Sequence, residues 1–155
     1  MDDDGAARLW FDYVDPVSFL VEVRLRRVEA ASGTAAVERL PWEIVPPPEP
    51  LLDPDDPAWV GRWRQVERES REEGLELRRA HLVPWTRKAH ELVLHATGGP
   101  AFDRVHGAVF RAHHVEGRDI GRIDVLADIA EAAGLDAAEI RTVLGVDRYL
   151  PALLG

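Results

Sequence analysis

Asp15-Pro16-Val17-Ser18 sets a carboxylate and a hydroxyl three positions apart, directly after the mostly apolar run FDYV. At the mouth of a helix that spacing has two uses. As a cap, Asp15 accepts from the first free backbone N–H groups. Pro16 then takes the first helical position, where its missing N–H had no partner, and Ser18 takes the third. The carboxylate also sits at the positive end of the helix dipole, worth about 0.3–1 kcal/mol at an exposed site. As a site, a helix mouth following a parallel strand receives anions or an activated nucleophile. The cap explains Asp-Pro without further assumptions. Acid–base or hydrolytic chemistry would pair Asp15 with His90 and needs a pocket shared by both.

Six histidines invite a metal reading. His90 and His95 are five apart, on different sides of a helix, and adjacent His113 and His114 point apart. A metal site would need His106, His113 and a carboxylate such as Glu116 to converge. Partly exposed, titrating helix histidines are the simpler expectation. In the charged run RWRQVERESREEG, Glu67 and Arg71 stand at i, i+4, worth about 0.2–0.5 kcal/mol. The run reads as a solvated helix face, or as a partner-binding helix anchored by Trp59 and Trp63. No glycine-rich phosphate loop and no Gly-x-Ser-x-Gly elbow occurs. The chain has no cysteine, which excludes disulfides, Cys-ligated zinc and thiol chemistry of its own.

These residues need elements to position them. Residues 7 to 14, ARLWFDYV, read as a strand, with Leu9, Phe11 and Tyr13 on one face and Trp10, Asp12 and Val14 on the other. From Pro16 to Ala31, Val17, Leu20, Val21, Leu25 and Val28 recur at helical spacing, and Gly33 is a stop. A second strand fits residues 36 to 45, with Pro41 marking an edge or a bulge. Strand, helix and strand make a βαβ half over residues 7–47, with a parallel pair. The proline-rich stretch PPPEPLLDPDDP is an extended connection. Residues 56–155 form a helical segment, with helices from Asp56 to Gly74, Thr86 to Thr97, Ala101 to Val115, Ile123 to Ala133 and Asp136 to Leu144. Asp136 and Glu139 have the spacing of a capping box.

Length and composition bound the rest. A chain of 155 residues, 46% apolar and 30% charged, makes one domain, residues 1–155. The net charge of −9 argues against nucleic acid and against an anionic membrane surface. No apolar run approaches the roughly 20 residues that span a membrane. The acidic start MDDDGAARLW is unlike a signal peptide, so the expected location is cytoplasmic.

With these elements in place, the chain resembles the DsbA-like thioredoxin superfamily, and within it the FrnE-type branch of disulfide oxidoreductases. FDYVDPVSFL is similar to that family's strand followed by Cys-Pro-x-Cys. VPWTRKAHEL resembles a segment usually written Val-Pro-Asn-Thr-x-x-Ala-His. RAHHVEGRDIGRIDVLADIAEAAGLDAAEIRTVL resembles the branch's tail. The resemblance implies a thioredoxin-like α/β fold, a βαβ unit with a large helical insertion, and thiol–disulfide chemistry at positions 15 and 18. Asp15 and Ser18 stand where the two cysteines would be, and exchange needs a thiolate to attack and a second sulfur to resolve. The implied redox activity is therefore expected to be absent, leaving a binding or structural role and no cofactor.

Kappa-class glutathione transferases and 2-hydroxychromene-2-carboxylate isomerases carry Ser-Pro-x-Ser at this corner, the first serine bonding the glutathione thiolate. That likeness supplies the alternative, a glutathione-dependent isomerase or transferase using Ser18. An ionised Asp15 about 4 Å from a thiolate would repel it by roughly 1–4 kcal/mol. Pro16, Val17 and Trp85 are the ligand-lining positions by resemblance, with Trp85 where the motif has asparagine. His90 matches the motif's histidine and is read as packing rather than catalysis. The family's later antiparallel strands are not legible after Leu144. The open edge this leaves on the first strand has three readings, that the chain is a fragment, that the tail packs over the edge, or that a second copy covers it, and a homodimer through that edge is expected.

Overall fold

RLWF and ERLP form the strands β1, Arg8–Phe11, and β2, Glu38–Pro41, paired in parallel with Arg8 beside Glu38 and Phe11 beside Pro41. In this computed structural model residues 7–33 and 37–155 are described. The acidic Asp2–Asp4 and the expected strand start at Ala36 lie outside them. Both strands are shorter than their sequence patterns. β1 stops at Phe11 because the next residues turn, with the Asp15 N–H donating to Asp12 O at 3.1 Å. β2 stops at Pro41, and the chain bends away toward a cis bond between Pro47 and Pro48.

The ladder also fixes which edge is open. Glu38 N–H bonds Ala7 O and Trp42 N–H bonds Phe11 O, so the odd residues of β1 face β2. In a parallel ladder Arg8 and Trp10 then turn their backbone groups to the opposite edge, where no described strand lies. On the outer side of β2 the same alternation puts Pro41, which has no N–H to offer.

Between the strands runs α1, Pro16–Ser32, closed by Gly33 at φ 61°. Six helices follow: α2, Pro57–Glu72; α3, Arg87–Ala96; α4, Phe102–His114; α5, Ile123–Ala132; α6, Ala137–Gly145; and α7, Leu150–Leu154. Their caps follow from residue type. Asp56 accepts from Ala58 N–H and Trp59 N–H, and Asp136 accepts from Glu139 N–H. The core gathers Tyr13, Leu92, Phe110, Ile120, Leu126 and Ile140, so the sheet's Phe11–Val14 end packs into the helical part. The turn before α5 presses so closely on Pro84 that a Cβ at Gly121 would lie 2.9 Å from Pro84 Cβ.

Four readings change here. Of the stripe Val17, Leu20, Val21, Leu25 and Val28, α1 buries only Leu20; Pro16, Ser18, Phe19 and Glu22 are buried beside it, and Val28 is 60% exposed. Burial follows ion pairing as well as apolarity, because Glu22 has cationic partners inside. Trp59 and Trp63 are buried under α2 and are not available as anchors for a partner. His106, His113 and His114 are at most 1% exposed, against the expectation of partly exposed, titrating rings, and His90, read as a packing residue, is buried with them. The tail does not cover the open edge of β1, for α7 packs on α3 and sets Leu153 and Leu154 beside Pro41 and Trp42.

Candidate functional site

At the corner the Asp15 backbone is extended, φ −80° and ψ 115°, which turns its carboxylate back over the first turn of α1. One oxygen, Oδ1, accepts the Val17 N–H at 3.2 Å and Arg62 Nε at 2.7 Å. The other, Oδ2, accepts the Ser18 N–H at 3.1 Å, the Ser18 hydroxyl at 2.8 Å and Arg62 Nη2 at 3.0 Å. Ser18 Oγ in turn accepts the Asp12 N–H at 3.3 Å. Asp15 and Ser18 are both buried. Arg62 reaches them from α2, and its hydrogen bond to Asp15 raises its already high pKa.

Asp56-Pro57 supplies an internal comparison. Asp56 makes the same two-bond cap at the start of α2, but it is exposed and no arginine grips it. The Asp15 corner is therefore a cap to which burial, a hydroxyl and a bidentate guanidinium have been added. Fork-to-fork pairing of this kind is among the stronger polar contacts. The positive helix mouth is filled by the chain's own anion, and the only hydroxyl there is engaged as donor and as acceptor. Neither group is a free nucleophile.

Behind the corner lies a buried polar cluster. Asp12 Oδ2 accepts the Ile44 N–H at 2.7 Å, while Oδ1 lies 3.4 Å from His90 Nε2 without a formed hydrogen bond. Burial alone would raise the Asp12 carboxyl; His90, the Ile44 N–H and Thr86 outweigh it and hold the group below its ordinary range. Tyr13 Oη meets His106 Nδ1 at 2.7 Å, and His106 Nε2 stands 3.6 Å from Glu22. Arg39, 4% exposed at its side chain, binds Glu22 at 2.9 Å and Glu29 at 3.0 Å. Burial raises the Glu22 carboxyl, but His106 and Arg39 win and lower it to about 2. Burial lowers His113 to about 4, and lowers His114, which gives Nε2 to Tyr13 O at 2.8 Å, well below its ordinary value.

A strand, a helix mouth at residues 15–18 and a helical segment packed behind them are the parts of a thioredoxin-type corner. The sequence matches the DSBA-like thioredoxin domain family over residues 8–150. The chain belongs to that family. The uncharacterized protein YwbO of Bacillus subtilis (strain 168) is 31% identical over 147 residues, covering 92% of this chain and 72% of that protein. The fold is similar to that of a probable DsbA oxidoreductase from Streptomyces coelicolor. There the TM-score is 0.74 at 22% identity, over 94% of this chain and 70% of that one. A second solved structure, from Nitrosomonas europaea, gives a TM-score of 0.69 at 18% identity, over 96% of this chain and 75% of its own.

In this DsbA-like frame the residues expected at the site separate into groups. Asp15, Pro16, Val17 and Ser18 share the corner. His90 does not join them: it contacts Asp12, Phe11 and Tyr13, and the Asp15 carboxylate is held by Arg62 instead. Among the described residues no hydrogen bond or ion pair joins Asp15 to His90. Trp85 is 40% exposed and donates Nε1–H to Glu49 O at 3.0 Å, anchoring the proline-rich connection. Glu116 is exposed and faces Arg118 at 3.8 Å, apart from the buried His106 and His113. Among the described residues no three His, Asp or Glu side chains gather as metal ligands. The sequence reading missed Arg62, Asp12 and Glu22. Asp12 carried a signal, a carboxylate between Phe11 and Tyr13 in the apolar run from Leu9 to Val14. Arg62 carried none, being one of several arginines in a charged helix.

Proposed function

We propose that this member of the DsbA-like family performs no thiol–disulfide exchange and has kept the fold for a binding or structural role. The observation that carries the reading is the Asp15 carboxylate, closed on itself by two backbone N–H groups, Ser18 and Arg62. Exchange needs two cysteine sulfurs at this place, and the chain has no cysteine. The motifs VPWTRKAHEL and EGRDI favour the FrnE-type branch within the family. Insulin reduction and dithiol oxidation are expected to stay at the uncatalysed rate; turnover above background with the purified protein rejects the reading.

The glutathione alternative rests on Ser18. Its Oγ is buried, donates to Asp15 and accepts from Asp12, so it has no hydrogen to turn toward a thiolate. Reduced glutathione at millimolar concentration is expected to leave the melting temperature unchanged. A ligand at 100 times its dissociation constant would add about 2.7 kcal/mol and be plainly visible. We extend the reading to a homodimer through β1, supported by the open edge at Arg8 and Trp10, whose side chains are exposed. Sedimentation equilibrium showing only monomer at high protein concentration would remove that extension.

A further inference from the structure

Gly107 stands in the middle of α4, between the buried Val105 and the buried Val109. Glycine inside a helix costs about 1 kcal/mol relative to alanine, and neither usual reason for accepting it applies here. Its φ is not positive, and a Cβ built there meets nothing within 4 Å. What the missing side chain leaves is room, a groove of about 430 Å³ between α1 and α4. Val23 and Leu75 line it above Phe19 and Phe110, whose rings stack 5.5 Å apart.

The rim carries three arginines. Arg26 is held by Glu22 at 2.6 Å and by Asp103 at 2.9 Å, and Arg27 is held by Glu73. Arg111 is exposed, and among the described residues its guanidinium has no ion-pair or hydrogen-bond partner. An apolar groove thus ends at an uncommitted cation, on a chain whose net charge is −9.

We propose that this groove binds a small apolar monocarboxylate. The hydrocarbon body lies over Val23 and Leu75 in the gap at Gly107, and the carboxylate meets Arg111. The volume falls in the range of about 300–1,000 Å³ usual for small-molecule clefts. Arginine is suited to the head group because its planar fork matches a carboxylate and carries charge at every working pH. A positively charged amphiphile of equal length would set its head group against Arg111, whose charge no carboxylate among the described residues offsets, and be rejected. This site is separate from the Asp15 corner and stands whether or not the redox reading holds.

The test is calorimetric titration of the full chain with decanoate, and in parallel with decyltrimethylammonium, both below their micelle concentrations. The expected result is saturable 1:1 decanoate binding with no binding of the cation. Arg111→Glu should weaken it by about tenfold or more. Gly107→Leu should abolish it while the circular dichroism spectrum and melting temperature are kept or improved. Arg148→Glu, an equal change of charge at an exposed position away from the groove, should stay within about twofold of the parent. Equal binding of both amphiphiles, no saturable decanoate binding, or equal losses in Arg111→Glu and Arg148→Glu would overturn the proposal.

Discussion

Removing the Asp15 carboxylate separates what a helix cap contributes from what the arginine clamp adds. Asparagine keeps the cap acceptor but not the charge, so Asp15→Asn isolates the ion pair. With Arg62 nitrogens 2.7 and 3.0 Å from the carboxylate oxygens, the charge centres are about 4 Å apart, worth about 4 kcal/mol at an effective dielectric constant of 20. The Arg62 side chain is 45% exposed while that of Asp15 is 8% exposed, so solvent screening reduces this to about 1–2 kcal/mol. Asp15→Ala also loses the cap, about 1 kcal/mol more, for a total of about 2–3 kcal/mol. At this chain length that lowers the melting temperature by about 4–12 °C. Asp56→Ala is the internal standard, the same two-bond cap without a clamp, and should cost about 1 kcal/mol or less. Urea denaturation of both alanine variants, with a double-mutant cycle of Asp15→Asn and Arg62→Met, reads all these quantities. If Asp15→Ala and Asp56→Ala cost the same, and the cycle shows coupling below about 0.3 kcal/mol, the corner is an ordinary cap and the reasoning fails.

Acid is expected to unfold the protein in two stages. His113 is held at about 4 against an ordinary 6.5, so the unfolded chain binds more protons in that interval and stability falls as pH drops from about 6.5 to about 4. The loss is about 3 kcal/mol, with His106 and His114 acting in the same direction. Glu22, held at about 2 against an ordinary 4.5, continues the loss below pH 4.5. Urea midpoints that stay flat from pH 7.5 to 4.5 would contradict this. Glu22→Gln leaves the buried Arg39 with Glu29 as its one carboxylate partner among the described residues and should cost about 3–5 kcal/mol; a cost under 1 kcal/mol would show that the cluster is wetter than its burial indicates. Replacing Asp15 and Ser18 together by cysteine should create insulin-reducing activity, since a helix N-terminus beside Arg62 lowers a thiol pKa. An oxidisable but inactive double variant would show that more than sulfur is missing from the corner. Gly121→Ala, with its Cβ driven to 2.9 Å from Pro84, should destabilise by about 1–3 kcal/mol, measured by thermal melt against the parent.

The βαβ half and the helix order were legible because local signals set them. Asp-Pro starts fixed two helices, Gly33 ended one, and Pro41 marked a strand edge. The face of α1 was not legible, since Glu22 is buried by cations from β2 and α1 itself, and no rule of apolar spacing selects it. The histidines were misjudged for the same reason. Their burial depends on long-range partners, His114 finding Tyr13 O across 101 residues and His106 finding the Tyr13 hydroxyl across 93. At the site, Asp15 and Ser18 could be named from the sequence. Their sealing could not, because Arg62 is 47 residues from Asp15 and shares its helix with Arg64, Arg68 and Arg71.

The seal on the corner also bears on how α2 is held. α2 is a strongly polar helix, and its buried residues are few: Trp59, Trp63, Val66 and Ser70. Its polar contacts to α1 fall in two separate groups. Arg62 grips Asp15 at the N-terminus of α1, while Arg24 and Arg27 of α1 reach Glu69 and Glu73 near the end of α2. A thiol pair at residues 15 and 18 would carry negative charge only in its reduced, deprotonated state, so a clamp built on it would loosen with each oxidation. A carboxylate is charged throughout the neutral range and keeps Arg62 engaged permanently. A carboxylate at residue 15 therefore supplies a charge that stays where a thiol pair would supply one that switches, and it holds α2 on α1 together with the contacts of Glu69 and Glu73.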